Sequence, residues 1–226
     1  MQRMRCNMTI SMDDLLKSIL DSFDRMEHIK PADIPNIDLY MDQVTTFMDK
    51  RLKNTTRNPE DDKILTKTMI NNYAKNNLLP SPEKKKYTKE HILVLLFIYY
   101  FKGVLSIGDI QTLLNPITEQ FFKKEEGFKL EDIYEEVFSL EDMEISNLKA
   151  DVEKKFKDSQ KLFEDAPEAS QAFLKQFAFI CMLSYDVYVK KLLIEKMIDE
   201  MCKETEERKA SKKESKRETK KETKDK

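Results

Sequence analysis

The stretch that decides the fold runs from residue 65 to residue 114, LTKTMINNYAKNNLLPSPEKKKYTKEHILVLLFIYYFKGVLSIGDIQTLL. Pro80 and Pro82 exclude helix in its middle, and the segment 92–101 is apolar on every side. We therefore predict that neighbouring elements cover that segment almost completely. Three residues of this stretch are suited to cap the N-termini of helices: Thr66, Thr88 and Ser106.

The composition favours a helical protein. Among 226 residues there are only three glycines, while 36% are charged and 40% hydrophobic, which predicts an all-α fold rather than a turn-rich β fold. Because the net charge is -2, any attraction to nucleic acid must come from a local patch of positive charge. The apolar run 92–101 is about half the length of a membrane-spanning helix. Arg3 and Arg5 are followed by no apolar signal region, so we expect a cytoplasmic protein with no membrane partner.

The residues that usually carry enzyme or metal chemistry are few and scattered. Cys6, Cys181 and Cys202 show no disulfide or zinc spacing, and His28 and His91 are far apart in sequence. No glycine-rich phosphate loop or nucleophile elbow is present. We predict that the protein is not an enzyme and holds no cofactor and no metal.

Amphipathic segments extend outward on both sides of the central stretch. Upstream, apolar spacing predicts a helix after Ser11 and a second helix from 39 to 52, capped by Asp38. Downstream, we expect Pro116 to close the central stretch. Beyond it, a helical bundle or hairpin would cover the broad apolar band that follows Pro167.

Charge is distributed unevenly along the chain. Residues 63–89 hold seven lysines and one glutamate, a net of +6, whereas residues 115–166 hold fifteen acidic residues and eight lysines, a net of -7. Lysines neutralise DNA phosphates, and asparagine can form paired hydrogen bonds to adenine. In the alternative interpretation these residues do not bind DNA. The lysines then form a solvent-exposed loop, the asparagines serve only in helix caps and turns, and the tyrosines lie at the edge of the core. The candidate DNA-binding residues are Lys67, Asn71, Asn72, Tyr73, Lys75, Lys84, Lys85, Lys86 and Tyr87.

The order of these features resembles the DNA-binding domain of MerR-type transcription regulators. The matching elements are Leu78-Leu79-Pro80, the basic wing Lys84–Tyr87, the apolar helix 92–101 and Gly103 with Ser106-Ile107. The chain also resembles an uncharacterised bacterial family of MerR-like proteins, in which the segment DIPNIDLYMDQVTTF (33–47) recurs. The resemblance implies a winged helix-turn-helix over about residues 65–114, a homodimer and an effector module.

The chain departs from the MerR-type pattern at two places. Asn71, Asn72 and Tyr73 stand where the family usually has an arginine followed by two tyrosines. The turn between the two helices of the helix-turn-helix would have about a dozen residues, whereas three or four are usual.

Together these patterns predict a DNA-binding transcriptional regulator of MerR-like type that binds double-stranded DNA as a homodimer. The alternative is a non-enzymatic protein-interaction module that keeps the winged-helix framework, and an unidentified protein partner or a small effector stays open. Tyr185 and Tyr188 could sense an effector or belong to a bundle core. We predict an N-terminal helix in 1–30, the DNA-binding domain in 31–116, a helical dimerisation, effector or partner module in 117–202, and a charged tail in 203–226 that is disordered or a fraying helix.

Overall fold

A computed structural model describes residues 11–24 and 28–222, with side chains described as far as residue 204. The described chain is mostly helical, as predicted, with one small antiparallel sheet and two short 3₁₀ turns at Pro31–Asp33 and Lys53–Thr55. The helices and strands are α1 (Met12–Phe23), β1 (Leu39–Tyr40), α2 (Met41–Leu52), α3 (Lys67–Lys75), β2 (Lys86–Tyr87), α4 (Lys89–Phe101), α5 (Ile107–Phe121), α6 (Leu130–Phe138), α7 (Glu141–Ser159) and α8 (Glu168–Glu222).

Helix α4 lies at the centre of the main core. Every residue from 91 to 98 is buried, and Leu93, Leu95 and Ile98 have no exposed surface. The predicted coverage is thus confirmed for 92–98, whereas Tyr99, Tyr100 and Phe101 are only partly buried. A helix that is apolar all round is stable only when other elements surround it. The surrounding buried side chains come from α2, α3, α5 and α6, including Val44, Met48, Ile70, Ile110, Leu114, Leu130 and Tyr134.

The beginning of α2 differs from the prediction. Leu39 and Tyr40 form strand β1, which pairs antiparallel with β2 in the register Leu39↔Tyr87 and Tyr40↔Lys86. The helix therefore begins at Met41, and Asp38 does not cap it. Instead the Gln43 side chain accepts a hydrogen bond from the Tyr40 backbone N–H at 2.8 Å. Pairing with a distant strand is a tertiary effect that helical spacing alone does not reveal.

Helix α5 continues past its predicted end. Pro116 lies inside the helix, which reaches Phe121; a proline removes one backbone hydrogen bond, and packing against α4, α6 and α8 supports the helix. Leu130 and Tyr134 of α6 are fully buried in the same core as α4. The division predicted between 116 and 117 therefore falls within a helix, and the core extends into α6.

A second, smaller core joins α1 to α7 and to the first part of α8. Leu20 of α1 packs with Val152 and Phe156 of α7 and with Phe179 of α8. Helix α8 then continues through Glu222, so the charged tail, predicted to be disordered or a fraying helix, is helical over 203–222, where lysine and glutamate are good helix formers. Residues 1–10, 25–27 and 223–226, with Cys6 and parts of the predicted N-terminal and tail segments, lie outside the described residues.

Candidate nucleic-acid interface

Helix α3 presents a polar outer face while its inner face packs into the core. The Thr66 hydroxyl accepts a hydrogen bond from the Met69 backbone N–H at 3.1 Å, which confirms Thr66 as the N-cap. Ile70 is completely buried and lies opposite the exposed residues Asn71 and Asn72. At the other end Asn77 has φ of 56°, a left-handed conformation that asparagine tolerates and that ends the helix.

The exposed side of α3 therefore carries three of the predicted DNA-binding side chains. Asn71, Asn72 and Lys75 are all exposed, and none of the ion pairs among the described residues involves Lys75. Lys67, at the start of the helix, is instead paired with the carboxylate of Asp42 on α2. Because both side chains are exposed, the pair adds little stability, but it reduces the positive charge that Lys67 offers to a ligand.

The four residues that immediately precede Tyr87, Glu83–Lys86, form a tight turn, which we call the lysine turn. The Lys86 backbone N–H donates to the Glu83 carbonyl at 2.8 Å, and the two central residues, Lys84 and Lys85, have φ of 49° and 65°. Positive φ at both central positions is the pattern of a type I′ turn, for which Asn-Gly is strongly preferred. A left-handed conformation costs a residue with a Cβ about 1–2 kcal/mol. The turn thus holds two lysines at a position where they are energetically unfavourable.

The electrostatics of the lysine turn are dominated by its cations. Glu83 is paired with Lys123, whose hydrogen bond and positive charge lower the pKa of the Glu83 carboxyl. Lys84 and Lys85 are exposed and take part in none of the ion pairs formed by the described side chains. The turn's one carboxylate is thus neutralised within the protein, while its two central ammonium groups are available to an anionic ligand.

Lys86 and Tyr40 lie beside each other at the base of the lysine turn. The Lys86 ammonium is 5.7 Å from the centre of the Tyr40 ring, within the range of a cation–π interaction, and the Tyr40 side chain is 54% exposed. Tyr40 was not among the predicted DNA-binding residues, because the segment 39–52 that contains it was predicted to be one amphipathic helix. Only the pairing of β1 with β2 brings it next to Lys86.

The two tyrosines among the predicted DNA contacts belong to the core. Tyr73 is 8% exposed and Tyr87 is 3% exposed, and burial raises the pKa of both phenols. Tyr73 lies on the inner face of α3, and Tyr87 packs edge-on against His91 with 5.4 Å between ring centres. Because both side chains are buried in the core, we exclude Tyr73 and Tyr87 from the candidate interface.

The buried His91 side chain stabilises the start of α4, just after the lysine turn in the chain. Its Nδ1 accepts a hydrogen bond from the Thr88 backbone N–H at 3.0 Å. Burial, reinforced by the charge of Lys123, lowers the pKa of His91 to about 4, against a smaller opposing effect of the Ser81 carbonyl. The ring is therefore neutral at physiological pH, as its acceptor role at Nδ1 requires.

The predicted residues thus fall into two groups on neighbouring elements. Helix α2 packs against both α3 and the β1–β2 sheet, so the outer face of α3 and the lysine turn flank one helix. Within the described range no cluster of three or more His, Cys, Asp or Glu is arranged to hold a metal ion. No described helix has the length and apolar character needed to cross a membrane.

Comparison with known proteins finds a match over the part of the chain that forms the main core. No curated protein and no solved structure matches the chain significantly. The main core runs from Ile29 to Tyr134 and is joined by Ile198 of α8. Nearly the same range, residues 29–137, matches the model of a protein family described as a domain of unknown function, DUF1836.

Proposed function

We propose that the protein is a DNA-binding transcriptional regulator of MerR-like type, with the lysine turn as its phosphate-binding wing and α3 as its groove-facing helix. The observation that carries the proposal is the conformation of Lys84 and Lys85. Backbone strain of this kind is concentrated at functional sites, where a particular side chain is needed despite its energetic cost.

The charge of the turn suits a phosphate backbone. Lys84 and Lys85 are exposed, and Lys123 neutralises the carboxylate of the preceding residue, Glu83. Lysines that contact phosphates release condensed counterions, which gives DNA binding its characteristic salt dependence. Such contacts would position the protein on the duplex without reading its sequence.

Helix α3 supplies side chains of the type that reads bases. Asn71 and Asn72 are exposed next to one another, and Lys75 lies one turn further along the same helix. Asparagine can bond to both N6 and N7 of adenine in the major groove, a contact worth about 1–3 kcal/mol of discrimination. Because both asparagines replace the arginine and tyrosine usual in MerR-type proteins, we expect the sequence preference to differ from that family's.

A second candidate function is an interaction module that binds a protein instead of DNA. It is favoured by the outer face of α6, where Glu135, Glu136 and the half-exposed ring of Phe128 line an open hollow of about 490 Å³. Neither carboxylate joins an ion pair in the described part of the chain. Such a face would suit a basic partner.

The experiment that separates the two functions is a selection of bound fragments from fragmented genomic DNA of the host. The DNA-binding function predicts enrichment of particular fragments, and loss of that enrichment when Lys84, Lys85 and Lys86 are replaced by alanine. The matched control replaces Lys154, Lys157 and Lys161, three exposed lysines on and just after α7, and should leave enrichment intact. Wild-type protein that enriches no fragment would exclude the proposed function.

A further inference from the structure

The last part of α8 is a charged helix with almost no apolar residue. The backbone of α8 is helical through Glu222, and within 203–222 Ala210 is the single apolar residue. From residue 208 onward the charge is mainly positive. Residues 208–222, which we call the basic arm, hold eight lysines or arginines and three glutamates, a net of +5. At 1.5 Å per residue the basic arm is about 22 Å long.

The positive residues of the basic arm come in doublets that repeat every four residues. The doublets are Arg208-Lys209, Lys212-Lys213, Lys216-Arg217 and Lys220-Lys221. Successive residues of an α-helix are about 100° apart around its axis, so these positions occupy an arc of about 220°. Glu214, Glu218 and Glu222 fall within the remaining arc, on about 80° of it. The spacing thus gives this helix a broad basic face and a narrow acidic face.

This distribution differs from that of a helix whose charges only keep it solvated. Such a helix usually has opposite charges four residues apart, where they attract each other. In the basic arm all eight pairs of charged residues four apart carry like charges, and like charges at this spacing destabilise a helix. Opposite charges three apart occur twice, at Glu214 with Arg217 and at Glu218 with Lys221. A polyanion along the basic face would relieve the repulsion within it.

The basic arm begins close to the C-terminal end of α3. Ile198 of α8 is buried in the main core, and the Cys202 thiol lies 3.5 Å from the hydroxyl of Thr112 on α5. The residue before Thr112, Gln111, donates a hydrogen bond to the backbone carbonyl of Asn76, just after α3. Two consecutive residues of α5 therefore join α8 to the helix that carries Asn71, Asn72 and Lys75. The arm starts six residues beyond Cys202, about 9 Å along the helix.

From this pattern and this position we infer that the basic arm binds the phosphates of duplex DNA, next to α3. A membrane surface does not suit it, because an interfacial helix needs an apolar face. The arm is as long as about six base pairs at 3.4 Å each, so several doublets can reach phosphates on one duplex. The choice of DNA as the polyanion rests on the proposed function, since α3 is its groove-facing helix. Such contacts add affinity without reading the sequence.

The first test changes the distribution of charge on the arm and keeps its composition. Lys212→Glu with Glu214→Lys, and Lys216→Glu with Glu218→Lys, move two carboxylates into the basic face and two ammonium groups out of it. This exchange variant also has opposite charges four residues apart, which favours helix, so unfolding of the arm would not explain weaker binding. Anisotropy with a 25-base-pair duplex of random sequence should give a dissociation constant at least ten-fold higher at 100 mM salt. The magnitude of the slope of log K against log salt should fall by about 1.8 or more.

The matched control moves the same two glutamates within the acidic face. Ser211→Glu with Glu214→Ser, and Ser215→Glu with Glu218→Ser, keep both the composition and the segregation of charge, so this variant should bind as wild type does. Wild-type protein that binds no duplex, an exchange variant that binds like wild type, or a control as weak as the exchange variant would each overturn the inference. An RNA duplex of the same sequence, bound at least as tightly as the DNA, would overturn the assignment to DNA.

The alanine triple variant of Lys84–Lys86, measured in the same titrations, separates this inference from the proposed function. If the triple variant alone binds more weakly, the inference fails and the proposed function stands. If the exchange variant alone binds more weakly and the genomic selection enriches no fragment, the arm binds DNA and the proposed function fails.

A second measurement needs no variant. Hydrogen–deuterium exchange with mass spectrometry compares wild-type protein alone and with the random-sequence duplex at 50 mM salt. Contact with phosphates should slow the exchange of backbone amides in 208–222 at least five-fold, because binding holds the arm in its helical conformation. Equal exchange with and without the duplex would contradict the inference.

Discussion

The left-handed conformation of Lys84 and Lys85 makes the lysine turn a place where stability and binding should oppose each other. Replacing the pair by Lys84→Asn and Lys85→Gly provides the residues that a type I′ turn prefers. Each left-handed lysine costs about 1–2 kcal/mol, although glycine returns about 0.4–1 kcal/mol through its freedom in the unfolded chain. We expect a net gain of about 1–3.5 kcal/mol in the free energy of unfolding, or a rise of roughly 2–14 °C in Tm.

The same double variant should bind DNA more weakly. Loss of two phosphate contacts reduces the magnitude of the slope of log K against log salt by about 1.8. Urea unfolding followed by circular dichroism measures the stability, and fluorescence anisotropy with a selected duplex measures the binding. The control, Lys84→Ala with Lys85→Ala, removes the same charges but keeps a Cβ at both positions, so it should weaken binding without the gain in stability. If the double variant has unchanged stability, the claim that Lys84 and Lys85 are strained is refuted. If it binds DNA as tightly as wild type, the claim that these lysines contact phosphates is refuted.

Three further predictions concern the core, the buried histidine and base recognition. Leu95→Ala, at the fully buried centre of α4, should lower the free energy of unfolding by about 2–5 kcal/mol in urea titrations. His91 has a folded-state pKa of about 4, below its ordinary 6.5. The unfolded chain therefore binds the proton more tightly than the folded protein does. The contribution of His91 to the free energy of unfolding is thus complete above pH 6.5 and falls by about 2–3 kcal/mol between pH 7 and pH 4.5. His91→Gln should lose that share of the pH dependence, and an identical profile for both proteins would contradict the assignment. Asn71→Ala with Asn72→Ala should reduce discrimination between selected and scrambled duplexes by about 1–3 kcal/mol, with the salt slope unchanged; a changed slope would indicate phosphate contacts instead.

Local signals in the sequence predicted the helices of the central stretch well. Thr66 caps α3, and Ser106 caps α5 with its hydroxyl accepting from the Asp109 N–H. The uniformly apolar segment 92–101 correctly indicated the buried centre of the fold. These features depend on residues within one helical turn of each other or on composition, which a sequence displays directly.

The features that the sequence did not predict depend on contacts between distant segments. Strand β1 exists because Leu39 and Tyr40 meet Lys86 and Tyr87, and Pro116 stays helical because several neighbours pack around α5. The candidate interface shows the same division. Exposure of Asn71 and Asn72 follows from helical spacing, whereas the neutralisation of Glu83 by Lys123 joins residues 40 positions apart.

The most direct test of the central claim is the salt dependence of binding to a duplex recovered from the genomic selection. Anisotropy titrations between 50 and 300 mM salt give the slope of log K against log salt for wild-type protein, for the alanine triple variant of Lys84–Lys86, and for the α7 lysine control defined above. If the lysine turn contacts phosphates, the triple variant should lose about 2–3 from the magnitude of the slope, while the control matches wild type. A slope that is the same for all three proteins would contradict the claim that the lysine turn holds DNA.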